Sequence, residues 1–166
     1  MDSKANIFTE LVEKNQGIIH KVCRIYTDDN DSHDDLFQEI VLQLWRSYDT
    51  FKGDSKFSTW MYRVGLNTAI TLIRKKTKTR ETDYIEDQFI HIKSDDKDEV
   101  LEERITLLYA AIRFLNDVER ALVLLFLEDL PYKDIAETLG ISEVNARVKM
   151  NRVKIKLKEI MSKMEQ

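Results

Sequence analysis

The segment from Pro131 to Lys158 constrains the fold of this chain more than any other. Its proline opens a short helical pattern with three apolar positions, Ile135, Ala136 and Leu139. Gly140 follows, a residue type that readily adopts positive φ at a helix end, and Ser142 is an N-cap type that precedes a longer helix. This layout predicts a helix-turn-helix, whose second helix binds in the major groove of DNA.

The predicted second helix is strongly basic. Between residues 142 and 158 one acid, Glu143, stands against six cations, which are Arg147, Lys149, Arg152, Lys154, Lys156 and Lys158. Such a helix is suited to contact phosphates. An ordinary helical hairpin with a basic second helix is the alternative, but the proline, the serine cap and the one-sided charge together favour DNA binding.

Composition favours a helical chain without disulfides or membrane spans. One proline and four glycines among 166 residues leave little material for the turns of an all-β fold. The single cysteine, Cys23, lies on an apolar stripe and predicts a buried thiol in a reducing compartment. The start of the chain has no signal-peptide pattern, and the longest apolar run, residues 121–127, is too short to cross a bilayer. We therefore expect a cytoplasmic chain without membrane insertion of its own.

The net charge of −4 hides two basic patches that an acidic stretch separates. Residues 63–80 carry six basic side chains and no acid, whereas residues 81–103 carry ten acids against two lysines. The acidic stretch has no helical periodicity. We predict an all-α fold of two small helical domains, residues 1–78 and 99–166, joined by a flexible acidic linker over residues 79–98. The helix-turn-helix belongs to the second domain.

Apolar residues recur at helical spacing in three stretches of the first half. The first, residues 7–26, predicts one helix or a pair of helices broken near Gly17. The second follows a polar break, and Asp34 or Asp35 is expected to cap it. Ser58 is expected to cap the third.

The third stretch mixes aromatic and basic residues, with Phe57, Trp60 and Tyr62 among its aromatics. Aromatic rings stack on unpaired bases and cations follow the backbone, so this composition favours binding of single-stranded nucleic acid. Burial in the core is the alternative, and helical spacing favours it for Trp60 and Met61. Four residues are expected to be exposed on another face of the helix, namely Tyr62, Arg63, Asn67 and Arg74.

Metal binding and catalysis have little support. Oxygen ligands fall at alternate positions from Asp28 to Asp34, but His33 stands where a calcium loop has its central glycine, and Leu36 stands where such a loop often has a ligand. We therefore favour a solvated loop between helices. The other histidines are scattered, and no phosphate-binding loop or nucleophile elbow is present. We expect no metal, no cofactor and no enzymatic activity.

Four segments together resemble one protein family. Residues 34–45 and 51–69 look like conserved region two of the extracytoplasmic-function (ECF) sigma factors of bacterial RNA polymerase. Residues 114–120 and 132–142 resemble region four of the same family. Each motif alone is moderately specific, but their order and spacing make the resemblance highly specific. It covers nearly the whole chain outside the predicted linker.

The resemblance implies a subunit that binds core RNA polymerase and directs promoter recognition, DNA melting and transcription initiation. The residues implied to dock on the clamp helices of the largest polymerase subunit are Asp35, Leu36, Gln38, Glu39 and Ile40. Those implied to bind the minus-ten promoter element are Tyr62, Arg63, Asn67, Arg74 and Lys75. Those implied to bind the minus-thirty-five element are Ser142, Glu143, Asn145, Arg147, Lys149 and Arg152. An anti-sigma factor is a further implied partner.

Two other classes of function compete with this interpretation. One is a helix-turn-helix transcriptional repressor whose N-terminal half dimerises or senses a ligand. The other is a helical adaptor that binds only protein. The segment over residues 57–76 discriminates among them, because a repressor that binds only duplex DNA has no use for an aromatic and basic single-strand surface.

Overall fold

The computed structural model of the protein describes residues 3–79 and 99–166, which form seven α-helices and no strand. The helices are α1 (Ser3–Tyr26), α2 (Asn30–Ser47), α3 (Phe57–Thr79), α4 (Glu99–Ile112), α5 (Asp117–Leu127), α6 (Tyr132–Leu139) and α7 (Glu143–Met164). The predicted all-α class is confirmed. The predicted linker, apart from Thr79 at the end of α3, lies outside the described residues, so the domain boundaries stay a prediction.

Helices α1, α2 and α3 pack on one another as an N-terminal unit. Their apolar stripes meet in a core that includes Val22, Ile40 and Leu66. Gly65 lies where the three helices approach closely, because a Cβ atom there would be 3.7 Å from both Ile40 Cγ2 and Val22 Cγ2. A methyl group at position 65 would thus make ordinary van der Waals contacts without a clash.

An aromatic cluster at one end of the N-terminal unit explains why residues 48–60 fold back on the helices. The rings of Phe8 and Trp45 are 5.0 Å apart in an edge-to-face arrangement, and Phe51 lies 5.2 Å from Trp60. Such pairs add to the free energy gained by burying the rings. Trp60 and Met61 are both buried, which confirms their prediction as core residues.

Two helix starts differ from the predictions, whereas α1 matches the first of its two predicted alternatives. Helix α1 is one helix, continuous through Gly17. The N-cap of α2 lies five or six residues before the predicted caps, because Asp29 accepts hydrogen bonds from the backbone N–H and the hydroxyl of Ser32. The acidic run therefore begins a helix rather than a loop, and those hydrogen bonds hold the pKa of Asp29 below its usual range. Helix α3 includes Ser58 as its second residue rather than as its cap.

Helices α4 to α7 form a C-terminal unit around α7, which packs against the other three. Helix α5 starts with a capping box, in which Asn116 accepts from the backbone of Glu119 and Glu119 accepts from the backbone of Asn116. One face of α7 packs inside this unit, where the side chains of Ala146, Met150 and Val153 are buried. The opposite face of α7 is consequently exposed to solvent.

The turn between α6 and α7 has the predicted helix-turn-helix geometry. Pro131 is the N-cap of α6, and Gly140 ends the helix in the left-handed region with φ +69°. The N–H of Ile141 then bonds to the carbonyl of Ala136 at 3.0 Å, as in a Schellman motif. Ser142 caps α7 by accepting from the backbone N–H of Asn145 at 3.1 Å. The roles predicted for the proline, the glycine and the serine are confirmed.

The cysteine is a structural residue. Cys23 is fully buried between helices, and burial, followed by the charge of Asp34, raises the pKa of its thiol to about 12. Since the thiolate is the reactive form, this thiol is inert at neutral pH.

Gly65 offers a test of the packing of the N-terminal unit. We expect Gly65→Ala to raise the free energy of unfolding by about 0.5–1 kcal/mol, because alanine has the higher helix propensity and its methyl group fits at 3.7 Å. Gly17→Ala is the matched control, since a methyl group there would have nothing within 4 Å and only the propensity changes. Urea unfolding followed by circular dichroism measures both variants. A loss of stability in the Gly65 variant alone would mean that the three helices approach more closely than described.

Candidate nucleic-acid interface

The residues predicted for duplex recognition lie along the first three turns of α7. Ser142, Glu143 and Asn145 are at the exposed start of the helix, and Arg147 and Arg152 are exposed further along. Lys149 is half-buried at the edge of the same surface. The helix-turn-helix thus presents the predicted polar and basic side chains together.

Contacts within the C-terminal unit orient several cations of α7. Arg147 bonds to Glu143 Oε1 at 3.0 Å, and its guanidinium lies over the ring of Tyr132, 4.6 Å from the centroid. The ammonium of Lys154 lies 4.3 Å from the ring centroid of Phe126. These contacts reduce the rotamer freedom that a DNA-binding cation would otherwise lose on binding.

The structure corrects the predicted exposure of Tyr62 on α3. Its side chain is buried, with 4% of its surface exposed, and its hydroxyl donates a hydrogen bond to Glu128 Oε2 at 2.9 Å. Burial first, and then the bond to Glu128 and its charge, raise the pKa of the phenol above its usual value. Sequence spacing alone could not reveal this contact, because Glu128 follows α5, far along the chain.

Of the other residues predicted for the minus-ten element, Arg63, Asn67 and Arg74 lie on one face of α3, and both arginines are paired with the C-terminal unit. Arg63 donates to the backbone carbonyl of Glu137 at 3.2 Å, and Arg74 Nε bonds to Asp117 Oδ2 at 2.7 Å. Asn67 is exposed. Lys75 is also exposed.

A half-buried guanidinium joins the two units. Arg120 on α5 donates to the carbonyls of Leu115 and Arg113 within its own unit and to the carbonyl of Ile25, at the end of α1, at 3.2 Å. Burial lowers the pKa of this guanidinium. Nearby, the hydroxyl of Tyr26 donates to the carbonyl of Asp117 at 2.6 Å. Sequence reasoning missed Arg120, since its carbonyl partners leave no trace in residue patterns.

Ion pairs at the rim of this contact add to it. Lys21 bonds to Glu128 at 2.8 Å, and Arg113 lies 3.2 Å from Asp28. We call this packing of α1 and α3 against α5 and α6 the closed arrangement. It leaves Arg63 Nε buried without a hydrogen-bond partner among the described residues, so the fit between the two units is incomplete.

The predicted polymerase-docking set divides by burial. Leu36 and Ile40 are 5% and 0% exposed and belong to the core of the N-terminal unit, so their side chains offer no surface for the direct docking contact implied for them. Asp35 and Gln38 are exposed, and Glu39 is half-buried. Glu39 Oε1 accepts a hydrogen bond from Gln43 Nε2 at 2.9 Å, which fixes the carboxylate at the edge of α2.

Residues 3–79 and 99–166 hold neither a metal centre nor a membrane span. No three histidine, cysteine or carboxylate side chains converge there in a way that would hold a metal ion. None of the helices described is long and apolar enough to cross a bilayer.

Comparison with known families identifies the family to which the chain belongs. The family model described as Sigma-70 region 2 matches residues 11–79, and that described as Sigma-70, region 4 matches residues 105–157. The chain belongs to the sigma-70 family. The first matched region lies within the N-terminal unit and the second within the C-terminal unit.

Relatives place this sigma factor in the ECF branch of the family. It is 29% identical over 160 residues to the ECF RNA polymerase sigma-E factor of Haemophilus influenzae, covering 89% of this chain and 83% of that protein. It is 26% identical over 133 residues to the RNA polymerase sigma factor YlaC of Bacillus subtilis, covering 78% and 77% of the two chains. As an ECF sigma factor it directs promoter-specific transcription initiation, which excludes the alternative of a repressor.

Two solved structures share the fold. One is the sigma factor RpoE in complex with the anti-sigma factor NepR from Bartonella quintana, with a TM-score of 0.76, 18% identity, and coverage of 93% of this chain and 96% of that one. The other is CnrH in complex with the cytosolic domain of CnrY, with a TM-score of 0.66, 18% identity, and coverage of 95% and 89%. At this level of identity they support the architecture alone.

The hydrogen bond between Tyr62 and Glu128 tests the closed arrangement. We expect a double-mutant cycle of Tyr62→Phe and Glu128→Ala to give a coupling free energy of about 1 kcal/mol, because the bond joins a buried hydroxyl to a carboxylate. Chemical unfolding of the four proteins measures it. Glu128→Gln with Lys21→Ala provides a second cycle at the exposed rim, where we expect a coupling free energy of about 0.2–1 kcal/mol. Zero coupling in both cycles would contradict the packing of the two units.

Proposed function

We propose that this sigma factor docks on core RNA polymerase through the polar rim of α2, holds the unpaired minus-ten strand with α3 and binds the minus-thirty-five duplex with α7. The observation that supports this proposal is that the basic residues of α3 and of α7 form two surfaces on separate helical units. Two such surfaces suit two promoter elements. Reconstitution with bacterial core polymerase and genomic DNA, followed by sequencing of transcript starts, tests the function as a whole. Starts without a shared upstream motif would contradict it.

The docking surface that we propose on α2 consists of Asp35, Gln38 and Glu39. These side chains line the edge of a helix whose apolar face is already buried in the N-terminal unit. A helix edge with carboxylates and an amide can pair with cations on a coiled-coil partner without changing the fold. Leu36 and Ile40 support this edge from inside.

Charge reversal at Glu39 tests the docking surface. We expect Glu39→Arg to weaken binding of core polymerase by about 1–3 kcal/mol, because it replaces an attractive charge with a repulsive one at the contact. Glu10→Arg, on the exposed side of α1, makes the same change of charge elsewhere and should leave binding unchanged. Titration of labelled variants with core enzyme measures the affinities. Equal affinities for the parent and the Glu39 variant would contradict this assignment.

On α3 we propose that Arg63, Asn67, Arg74 and Lys75 follow the unpaired strand. The closed arrangement opposes this role, since Asp117 and Glu137 pair with two of these cations. Each carboxylate thus occupies a site that a DNA phosphate would take. Tyr62 is buried with its hydroxyl bonded to Glu128, and it becomes available only if the two units separate.

We propose that the closed arrangement opens when the chain binds polymerase and promoter. Exposed ion pairs such as Arg74 with Asp117 contribute only about 0.2–1 kcal/mol each. The unpaired Nε of Arg63 adds a cost to the closed state. Contacts with a polymerase and with several phosphates are strong enough to compensate for the loss of these pairs.

Variants on the two sides of one ion pair test this competition. We expect Asn67→Ala combined with Arg74→Ala to bind core polymerase normally but to form fewer open complexes, since two contacts to the strand are lost. Asp117→Asn removes the competing carboxylate and should raise the open fraction by up to about fivefold. Permanganate footprints of melted thymines measure both. If the two variants change melting in the same direction, Asp117 and DNA do not compete for Arg74.

On α7 we propose that the early residues specify bases and the later ones contact phosphate. Arg147 is held over Tyr132 near the start of the helix, where base edges are reached in helix-turn-helix proteins. Lys149 and Arg152 continue the basic surface toward the sugar-phosphate backbone. Ser142, Glu143 and Asn145 stand at the entry of the helix into the groove.

The remaining parts of the proposal concern partners and compartment. The structural relative RpoE is a sigma factor bound to the anti-sigma factor NepR, and an anti-sigma factor is proposed here on that basis. We propose that the chain works in the cytoplasm, where core polymerase is found, and that it acts by binding rather than as an enzyme.

A further inference from the structure

The solvent face of α7 is apolar along its centre. Val144, Val148 and Ile155 are 72%, 42% and 62% exposed, although the rest of the surface around them is polar. They follow one another at spacings of four and seven residues, which places them in one line along the helix. Asn151 is the polar residue in this line. We call Val144, Val148 and Ile155 the apolar strip.

Cations flank the apolar strip on both sides. Helical geometry places the strip opposite the buried face formed by Ala146, Met150 and Val153. It places three cations along one flank, namely Arg147, Lys154 and Lys158. It places three along the other flank, namely Lys149, Arg152 and Lys156. The exposed side of α7 is therefore a line of apolar groups between two rows of positive charge.

This pattern matches the cross-section of a DNA major groove. The groove has phosphates along both edges and base edges along its floor, and the one apolar group on that floor is the C5-methyl group of thymine. We propose that Val144 and Val148 contact thymine methyl groups in the promoter duplex and so set the base preference at those positions. The inference rests on the proposed binding of duplex DNA by α7 and adds residues outside the predicted polar set.

Distances along the helix limit the contact to the first two members of the strip. At a rise of about 1.5 Å per residue, Val144 and Val148 are about 6 Å apart along the axis, which fits a groove about 12 Å wide. Ile155 lies about 16 Å from Val144 on the same rise and falls beyond the groove. It is also apolar and exposed, so it serves as a control at a different position.

A protein surface is the other class of partner that an apolar strip could contact. The charge around the strip argues for DNA, because residues 142–158 carry six cations and one acid. Removal of a methyl group from a base separates the two partners, since only DNA binding depends on it.

The experiment replaces single thymines by uracil, which removes the methyl group and nothing else. Holoenzyme is reconstituted from core polymerase and the full-length chain, and its upstream element is first defined by selection from randomised duplexes. Each thymine of that element is then replaced in turn, and affinities are measured by competition. We expect the parent to lose about fourfold in affinity at one or two thymines, as for one buried methyl group.

The variants assign the methyl contact to residues. Val144→Ala and Val148→Ala should each weaken binding to the thymine duplex and remove the discrimination against uracil at one position. Ile155→Ala should keep the full discrimination. Thermal melting checks that the exposed valines leave the fold intact.

Three results on DNA would overturn the inference: a selected element without thymine, no effect of uracil on the affinity of the parent, or full discrimination against uracil in both valine variants. A fourth would be a valine variant that loses affinity equally for thymine and uracil duplexes because it assembles less well with core polymerase. The last would point to a protein contact. Failure of the proposed function is distinct, since holoenzyme would then select no element at all.

Discussion

The half-buried guanidinium of Arg120 is the interaction on which the relation of the two helical units depends. It donates to the carbonyls of Arg113 and Leu115, in the turn between α4 and α5, and to the carbonyl of Ile25 at the end of α1. Carbonyl oxygens in turns and at helix ends lack partners within a helix, and one guanidinium satisfies three of them together. The turn after α4 and the end of α1 therefore become part of the contact. The ion pairs of Arg74 and Lys21 then follow at the rim, where water weakens them.

One consequence of the strand contact proposed for α3 is a competition between the protein's own carboxylates and DNA. Asp117 and Glu137 are bound to the cations of α3 that the minus-ten strand would use. Binding of a strand to α3 and closure of the two units are therefore alternatives. The balance between them depends on a few weak pairs, and polymerase can shift it.

Rules that relate residues close in sequence predicted the helices and turns better than they predicted the contacts of the candidate site residues. Gly140, Ser142 and Pro131 each act through neighbours within five residues, and the turn that they define is as predicted. The start of α2 was misplaced, because several neighbouring acids are all acceptable caps and only the hydrogen bond that the Ser32 N–H donates to Asp29 selects one. The prediction that Tyr62 is exposed was wrong for a different reason. Its partner Glu128 is 66 residues away, and helical periodicity carries no information about such contacts.

The two proposed DNA-binding surfaces differ in what closure does to them. On α3, Tyr62 is buried, and Arg63 and Arg74 are paired with the C-terminal unit. Val144 and Arg152 on α7 are exposed within the closed arrangement. Duplex recognition by α7 thus requires no separation of the units, but contact of Tyr62 or Arg74 with an unpaired strand does. We infer that the upstream duplex can be bound before the units open. Melting would then expose a strand at the point where α3 becomes free to hold it.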